Sequence, residues 1–255
     1  MEEFFSDKVA VVTGGANGIG LACVKELARV GCHVAIADLD MEAAERVAEE
    51  MVQNSEVQII PFAIDVSDSK QCREMIQRVQ DQLGSLHILI NCAGGSLDKK
   101  PILELEESTW HRTLDINLHG TYYCSRAFAE VVIERQGEGS IVNISSIFAT
   151  RNAPGLAAYC VSKAAVSQLT KAMALEMAEY RIRVNAVGPS HVETGRMKKK
   201  IEAGIVDVET VVGHVPMNRM SQSEEVADLV IFLCSDQASF ITGQTVVIDG
   251  GYTIE

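Results

Sequence analysis

The stretch spanning residues 9–30 constrains the fold more than any other part of the chain. Val9-Ala10-Val11-Val12 reads as a buried strand, Thr13-Gly14-Gly15-Ala16-Asn17-Gly18-Ile19-Gly20 as a tight turn, and residues 21–30 as a helix. Glycines allow a backbone to approach a ligand closely, and the free N–H groups and dipole of a helix N-terminus favour an anion. Between a strand and a helix, this pattern predicts a cradle for a dinucleotide pyrophosphate, with Gly14, Asn17, Gly18, Ile19 and Gly20 lining it. The same glycines outside that setting would mark an ordinary turn.

The rest of the chain repeats the alternation. Apolar runs at 9–13, 33–38, 57–64, 88–91, 140–145, 183–187 and 245–249 predict seven strands, with helical stretches between them. Such alternation implies a parallel sheet covered by helices on both faces. The clearest helix spans 41–54, where Ala44, Val47, Ala48 and Met51 form an apolar stripe opposite glutamates. A second, at 68–83, opens on an Asp-type cap, and longer ones run over 109–133 and 157–179. No linker, repeat or low-complexity tract divides the 255 residues, so a single α/β domain over 1–255 is expected.

Tyr159 and Lys163 lie four residues apart, with Ser146 thirteen residues upstream of the tyrosine. On a helix, that gap puts phenol and ammonium on one face, so the cation is placed to ease ionisation of a hydroxyl whose ordinary pKa is about 10. Proton transfer near neutrality works best from a group tuned toward the working pH. A Tyr-x-x-x-Lys pair alone describes many solvated helix faces; the upstream cradle gives this one its meaning.

Together the two motifs resemble the short-chain dehydrogenase/reductase family, and the resemblance covers essentially the whole chain. Thr13, Gly14, Gly18 and Gly20 match its Thr-Gly-x-x-x-Gly-x-Gly turn. Asn91-Cys92-Ala93-Gly94 resembles its Asn-Asn-Ala-Gly, with Cys92 in place of the second asparagine. Asn117, Ser146, Tyr159 and Lys163 correspond to its catalytic asparagine, serine, tyrosine and lysine. The resemblance implies a single-domain, doubly wound Rossmann fold whose seven-stranded parallel sheet has the order 3-2-1-4-5-6-7, with ligands at the carboxyl ends of the strands. It also implies a homodimer or homotetramer built through the long helices.

Asp38 closes the second strand eighteen residues after Gly20, where a carboxylate accepts hydrogen bonds from the adenosine ribose. A 2′-phosphate would meet like charge there. Asn17 and Leu39 occupy the places where NADP-preferring relatives carry arginine or lysine, so NAD is the expected cofactor. Asp38 also reads as a cap for the helix near Met41. By resemblance, Asp65 and Val66 border the adenine, Asn91, Ala93 and Gly94 follow the fourth strand beside the cofactor, and Tyr159 and Lys163 reach the nicotinamide ribose. Pro189, Val192 and Thr194 match the family's loop after the sixth strand and imply carboxamide and phosphate contacts. Ser190 stands where glycine is usual, a strained place for serine should it require positive φ.

The expected reaction is hydride transfer between the nicotinamide and a secondary alcohol or ketone such as a polyol, sugar, hydroxy acid or steroid. Tyr159 would act as acid/base, Lys163 would stabilise the phenolate, Ser146 would donate to the substrate oxygen, and Asn117 would hold a water leading to Lys163. Substrate choice is expected to lie in a lid at 190–217 carrying an amphipathic helix, and in Gly95, Ser96, 148–152 and Leu156. His191 and Arg151 read either as substrate contacts or as solvated residues. The alternatives are a dinucleotide-binding regulator that does not turn over and, within enzymes, an enoyl reductase; the latter typically spaces tyrosine and lysine more widely.

A formal charge of −13 argues against nucleic acid or an anionic membrane as partner, and the basic run Lys198-Lys199-Lys200 reads as a solvated face. Seven cysteines without a Cys-x-x-Cys pair read as reduced core fillers, and no histidine spacing suggests a metal. The acidic start and the lack of a long apolar run point to a cytoplasmic protein.

Overall fold

A computed structural model describes residues 2–52 and 57–254. The elements run α1 Glu2–Phe5, β1 Val9–Thr13, α2 Gly18–Arg29, β2 His33–Asp38, α3 Met41–Val52, β3 Ile59–Ala63, α4 Ser69–Leu83, β4 Ile88–Asn91 and α5 Glu107–Leu114. After a π-helical turn at Asp115–His119 come α6 Gly120–Glu134, β5 Gly139–Ile144, α7 Ala157–Met177, β6 Ile182–Pro189, α8 Gly195–Glu202, α9 Val208–Gly213, α10 Ser223–Cys234 and β7 Thr245–Ile248. The seven strands form one sheet in the order 3-2-1-4-5-6-7, every pair parallel, as expected.

Period-two alternation divides the strand residues between two cores. Ala10, Val12, Val34, Ile36, Ile88 and Ile90 pack beneath α2, α3 and α10. Val9, Val11, Ala35, Ala37, Leu89 and Ile141 pack beneath α4, α6 and α7. Strands buried on both faces must be apolar at nearly every position, which is why β1 could be read as a continuous Val/Ala run. On α3 the Ala44, Val47 and Ala48 stripe is buried as its spacing implied, and Ala43 joins it. Positions 53 and 54 of that expected helix lie outside the described residues.

Some boundaries differ from the sequence reading. β3 begins at Ile59, because Gln58 is occupied ahead of it, donating its backbone N–H to His33 Nδ1 at 2.9 Å. β6 extends through Gly188 and Pro189, which align with Val247 and Ile248 of β7; a proline, having no N–H, is tolerated at a strand end. The expected long helix at 109–133 is interrupted by the π turn, and the lid holds two short helices, α8 and α9, rather than one. No helix among the described residues is long and apolar enough to cross a membrane.

Candidate active site

Thr13, Asp38, Asn91 and Ile144 end their strands on one edge of the sheet. There the buried Thr13 hydroxyl accepts backbone N–H bonds from Cys92 at 3.1 Å and Ala93 at 3.2 Å, tying the glycine turn to the segment after β4. Thr13 was legible as part of a motif; its bridging role was not. In the turn, Gly14 and Gly18 adopt φ of +65° and +54°, the left-handed region. Gly20 permits a closer approach: a Cβ there would lie 2.1 Å from the Gly14 carbonyl oxygen, so no other residue fits. Asn17 precedes α2 in an extended conformation and makes no side-chain cap, and Ile19 follows in the first helical turn. The turn has the shape of an anion cradle at a helix N-terminus.

The Asp38 carboxylate accepts the Ala16 N–H at 3.0 Å and the Asp40 N–H at 3.1 Å, holding the glycine turn against the end of β2. The cap of α3 is instead Asp40, which accepts from Ala43 at 3.0 Å. Leu39 beside it is exposed, and no ion pair to Asp38 occurs among the described residues. After β3, Asp65 is paired with Arg112 of α5 at 2.9 Å and accepts from the Ser67 hydroxyl at 2.7 Å. Burial opposes ionisation of Asp65, but the bonds from Ser67 and Arg112 hold its pKa below the ordinary value. Val66 is buried, and the helix cap nearby is Asp68, bonded by Lys70 and Gln71 N–H groups as the sequence implied. Arg112 carried no signal in sequence, because it lies far from Asp65 along the chain.

Asn91 is buried and donates to Ser125 Oγ at 2.8 Å and Asn143 Oδ1 at 2.9 Å, while its own Oδ1 is buried without a partner among the described residues. Asn117 sits within the π turn, where the Gly120 N–H reaches back to the Asp115 carbonyl. Such an inserted residue re-aims a helix side chain, and these turns occur often at functional sites. Asn117 Oδ1 accepts from the Gly95 N–H at 2.9 Å, and Nδ2 donates to the Gly95 carbonyl at 3.2 Å and to Ser162 Oγ at 2.9 Å. This amide therefore fixes the Ala93-Gly94-Gly95 segment against α7. Ser162 is a participant the sequence reading missed.

Tyr159 and Lys163 project from the first turns of α7, and Ser146 follows β5. The Ser146 hydroxyl acts on the Tyr159 phenol, and its Oγ accepts the Phe148 N–H at 3.2 Å. Ser145 points the other way, to Ser167 and the Lys163 carbonyl, as alternation along a strand requires. Lys163 is buried; its Nζ donates to the Ile144 carbonyl at 2.7 Å and lies 5.8 Å from the centre of the Tyr159 ring. Burial pulls this ammonium down to about 8. Burial likewise pushes the Tyr159 phenol above its ordinary value, with the Ser146 bond pulling against it. In both groups, removal from water is the largest influence and opposes the charged form.

Pro189 ends β6, Val192 is buried and bridges Ser221, and Thr194 caps α8 by accepting from Met197 at 3.2 Å. The Thr194 methyl would lie 3.2 Å from a Cβ on Gly18, so the lid begins against the cradle. Ser190 donates to the Ile248 carbonyl at 3.1 Å and does not have positive φ, which removes the strain its identity suggested. His191 is half-buried: its ring packs edge-on with Phe148 at 6.1 Å and Tyr252 at 5.7 Å, and its Nδ1 is buried without a partner among the described residues. Arg151 is exposed and lies over the Tyr252 ring at 5.2 Å.

Beside Tyr159 a recess is lined by Ser96, Leu105, Thr109, Gly155 and Leu156. Ser96 and Leu156 were expected; Leu105 and Thr109 come from a stretch whose pattern gave no warning. Neither α8 nor α9 contains a buried residue, yet Arg196 of α8 reaches the Ser96 carbonyl at 2.5 Å. All seven cysteines are free, six of them buried, as a reduced core requires. Among the described residues no cluster of three metal-ligating side chains occurs.

Comparison with known proteins gives a consistent result. Residues 14–253 match a family described as enoyl-(acyl carrier protein) reductase. The chain is 34% identical over 247 residues to a 3-oxoacyl-[acyl-carrier-protein] reductase of Thermotoga maritima, covering 97% of this chain and 98% of the other. It is 36% identical over 255 residues to the cis-4-hydroxycyclohexanecarboxylate dehydrogenase of Sinomonas cyclohexanicum, covering 99% of each. Among solved structures, NAD+-bound xylitol dehydrogenase and NADP-bound ElxO each superpose with TM-score 0.91 at 31% identity, over 97% of this chain and 99% of theirs.

Proposed function

The chain belongs to the short-chain dehydrogenase/reductase family and is an oxidoreductase of that kind, and from this premise we propose that it uses NAD(H) to interconvert a secondary alcohol and its ketone. One observation carries the reading: Asn117, Ser146, Tyr159 and Lys163 converge at the strand ends beside a glycine turn that only glycine can build at position 20. That turn fits a pyrophosphate, because the close backbone leaves room for the anion at the α2 N-terminus. A bound nicotinamide would supply the hydride acceptor or donor.

The chain's own residues handle the proton. In oxidation, the Tyr159 oxygen takes the proton from the substrate hydroxyl, and in reduction it returns it. Ser146, whose hydroxyl acts on that phenol, is placed to donate to the same substrate oxygen, where negative charge develops as the carbonyl forms or is reduced. Lys163 is held by the Ile144 carbonyl with its charge beside the phenol ring, stabilising the ionised tyrosine. Asn117 positions the Gly94-Gly95 backbone and α7 relative to one another.

Asp38 supports NAD over NADP. Its carboxylate already accepts two backbone N–H bonds and faces no cation from Asn17 or Leu39, so a 2′-phosphate would meet uncompensated negative charge. The alternative, an enoyl reductase, has the wording of the family description in its favour but not the four-residue interval from Tyr159 to Lys163. Exposed Leu103, Leu175, Phe240 and Ile254 support association into a homodimer or homotetramer, and seven free thiols suit a reducing cytoplasm.

The test is a panel of secondary alcohols with NAD or NADP, followed at the NADH absorbance band. Reduction of NAD by at least one alcohol, faster than that of NADP, is expected. Faster reduction of NADP would refute the Asp38 argument, and no reduction of either would favour the regulator that only binds.

A further inference from the structure

The chain carries a net charge of −13, yet the cations Arg196, Lys99 and Lys200 gather near the recess beside Tyr159, whose own lining holds one acid, Asp98. Arg196, in the first turn of α8, crosses to the segment after β4 and donates from Nη2 to the Ser96 carbonyl at 2.5 Å. Its Nη1 lies 2.6 Å from where a Cβ on Gly95 would sit, so the guanidinium rests against the Gly95 backbone. Ser96 lines the recess together with Gly155 and Tyr159. Beside Gly155, the Lys99 side chain lies 3.0 Å from where a Cβ on that glycine would be. Lys200 is one helical turn after Arg196 on the same face of α8 and is half-buried, unlike the exposed Lys198 and Lys199.

No carboxylate among the described residues pairs with Lys99, Arg196 or Lys200 through its side-chain cation. Asp98, which lines the recess, is itself held by the Lys100 ammonium at 3.4 Å and the Lys99 backbone N–H at 2.7 Å. The three cations act on one another: burial and the charges of Arg196 and Lys99 hold Lys200 below its ordinary pKa. The Arg196 charge also pulls the Tyr159 phenol down, against the larger effect of burial. Like charges gathered without a counter-charge destabilise a fold, and an incoming anion relieves that repulsion.

We propose that Arg196, with Lys99 and Lys200, anchors an anionic group of the carboxylate class on the substrate whose carbinol meets Tyr159. The inference rests on the dehydrogenase reading for the carbinol, but the anion site stands on its own geometry. It makes α8 the element that closes on an acidic substrate, with Arg196 as its specificity-determining residue.

The experiment compares cyclohexanecarboxylate with its neutral isostere cyclohexanecarboxamide, neither of which can be oxidised at a carbinol. Binding is measured by calorimetry to the full chain, with and without NADH. The acid is expected to bind about ten- to a hundredfold more tightly than the amide, the range a charge-assisted hydrogen bond supports. That ratio should fall about tenfold in Arg196→Gln and in the double variant Lys99→Gln/Lys200→Gln, and in the unaltered protein it should fall as salt is raised. Equal binding of acid and amide, binding of neither, or a ratio indifferent to salt would overturn the proposal. A loss of NADH affinity in Arg196→Gln matching the loss in acid affinity would also overturn it, by assigning the guanidinium to the dinucleotide. Failure of the dehydrogenase reading looks different: no alcohol is oxidised, while the preference for the acid persists.

Discussion

The glycine turn and the lid meet at Thr194 and Gly18, yet they are built by opposite means. In the turn, α2 buries six of its twelve residues and the backbone closes on itself at Gly20, so position and identity are fixed together. In the lid, α8 and α9 bury none, and the segment is held by single contacts such as Arg196 to the Ser96 carbonyl and the Met217 N–H to the Gly250 carbonyl. The difference separates two tasks. A pyrophosphate is the same in every dinucleotide and rewards a rigid site, whereas substrate entry and choice are served by an element that can move and vary.

Substitutions that probe this contrast are expected to differ widely in effect. Gly20→Ala puts a Cβ against the Gly14 carbonyl and should weaken NADH binding by more than about tenfold and lower Tm by several degrees, since overpacking costs about 1–3 kcal/mol or more. Gly195→Ala, where a Cβ meets nothing within 4 Å, is the matched control in the lid and should leave Tm within about 1 °C. A Gly20→Ala protein as stable and as tightly binding as wild type would erase the distinction between the regions.

Asp38→Ala should come next. It removes the carboxylate that disfavours a 2′-phosphate, so the ratio of NADH to NADPH affinity should fall about tenfold or more, and the Ala16 N–H loses its acceptor at a cost of about 1 kcal/mol. Titration of both dinucleotides against wild type and variant checks it, and an unchanged ratio would move the specificity determinant elsewhere.

Lys163 gives a smaller effect with a definite sign. Its pKa falls from 10.5 to about 8 on folding, so between those values the unfolded chain binds more protons and stability rises with pH. The cost of burying the ammonium is full below about pH 8 and gone above about 10.5. Denaturant unfolding of wild type, measured relative to Lys163→Met, should therefore show a gain of about 1–3 kcal/mol across that window. A difference that is flat or falls with pH would contradict the burial assigned to Lys163. A small change is also expected from Ser190→Gly: with no positive φ to relieve, Tm should stay level or fall by about 1–3 °C.

What the sequence disclosed follows the same division. Strands buried on both faces leave continuous apolar runs, and a helix N-terminus preceded by glycines has few other uses, so β1, α2 and the Tyr159–Lys163 pairing were legible in the residues, while the strand order was implied by the family resemblance. Side chains that meet across the fold were not. The Arg112–Asp65 pair joins elements 47 residues apart, the π turn that aims Asn117 has no residue signature, and His191 joined an aromatic row only because Phe148 and Tyr252 arrive from distant segments. Arg196, beside the lysine run, was not singled out by the sequence at all. Its role depends on Gly95, a hundred residues away in sequence and in contact in space.

The claim at the centre of this account is that the Tyr159 hydroxyl moves the proton while the glycine turn binds the dinucleotide. Single-turnover reduction of saturating NAD by an alcohol substrate, compared between wild type and Tyr159→Phe with NADH affinity measured on both, tests the two parts at once. The account predicts a rate lower by about a hundredfold to ten-thousandfold in the variant, the range for loss of a general acid/base, with NADH affinity within about threefold of wild type. Equal rates in the two proteins would contradict it.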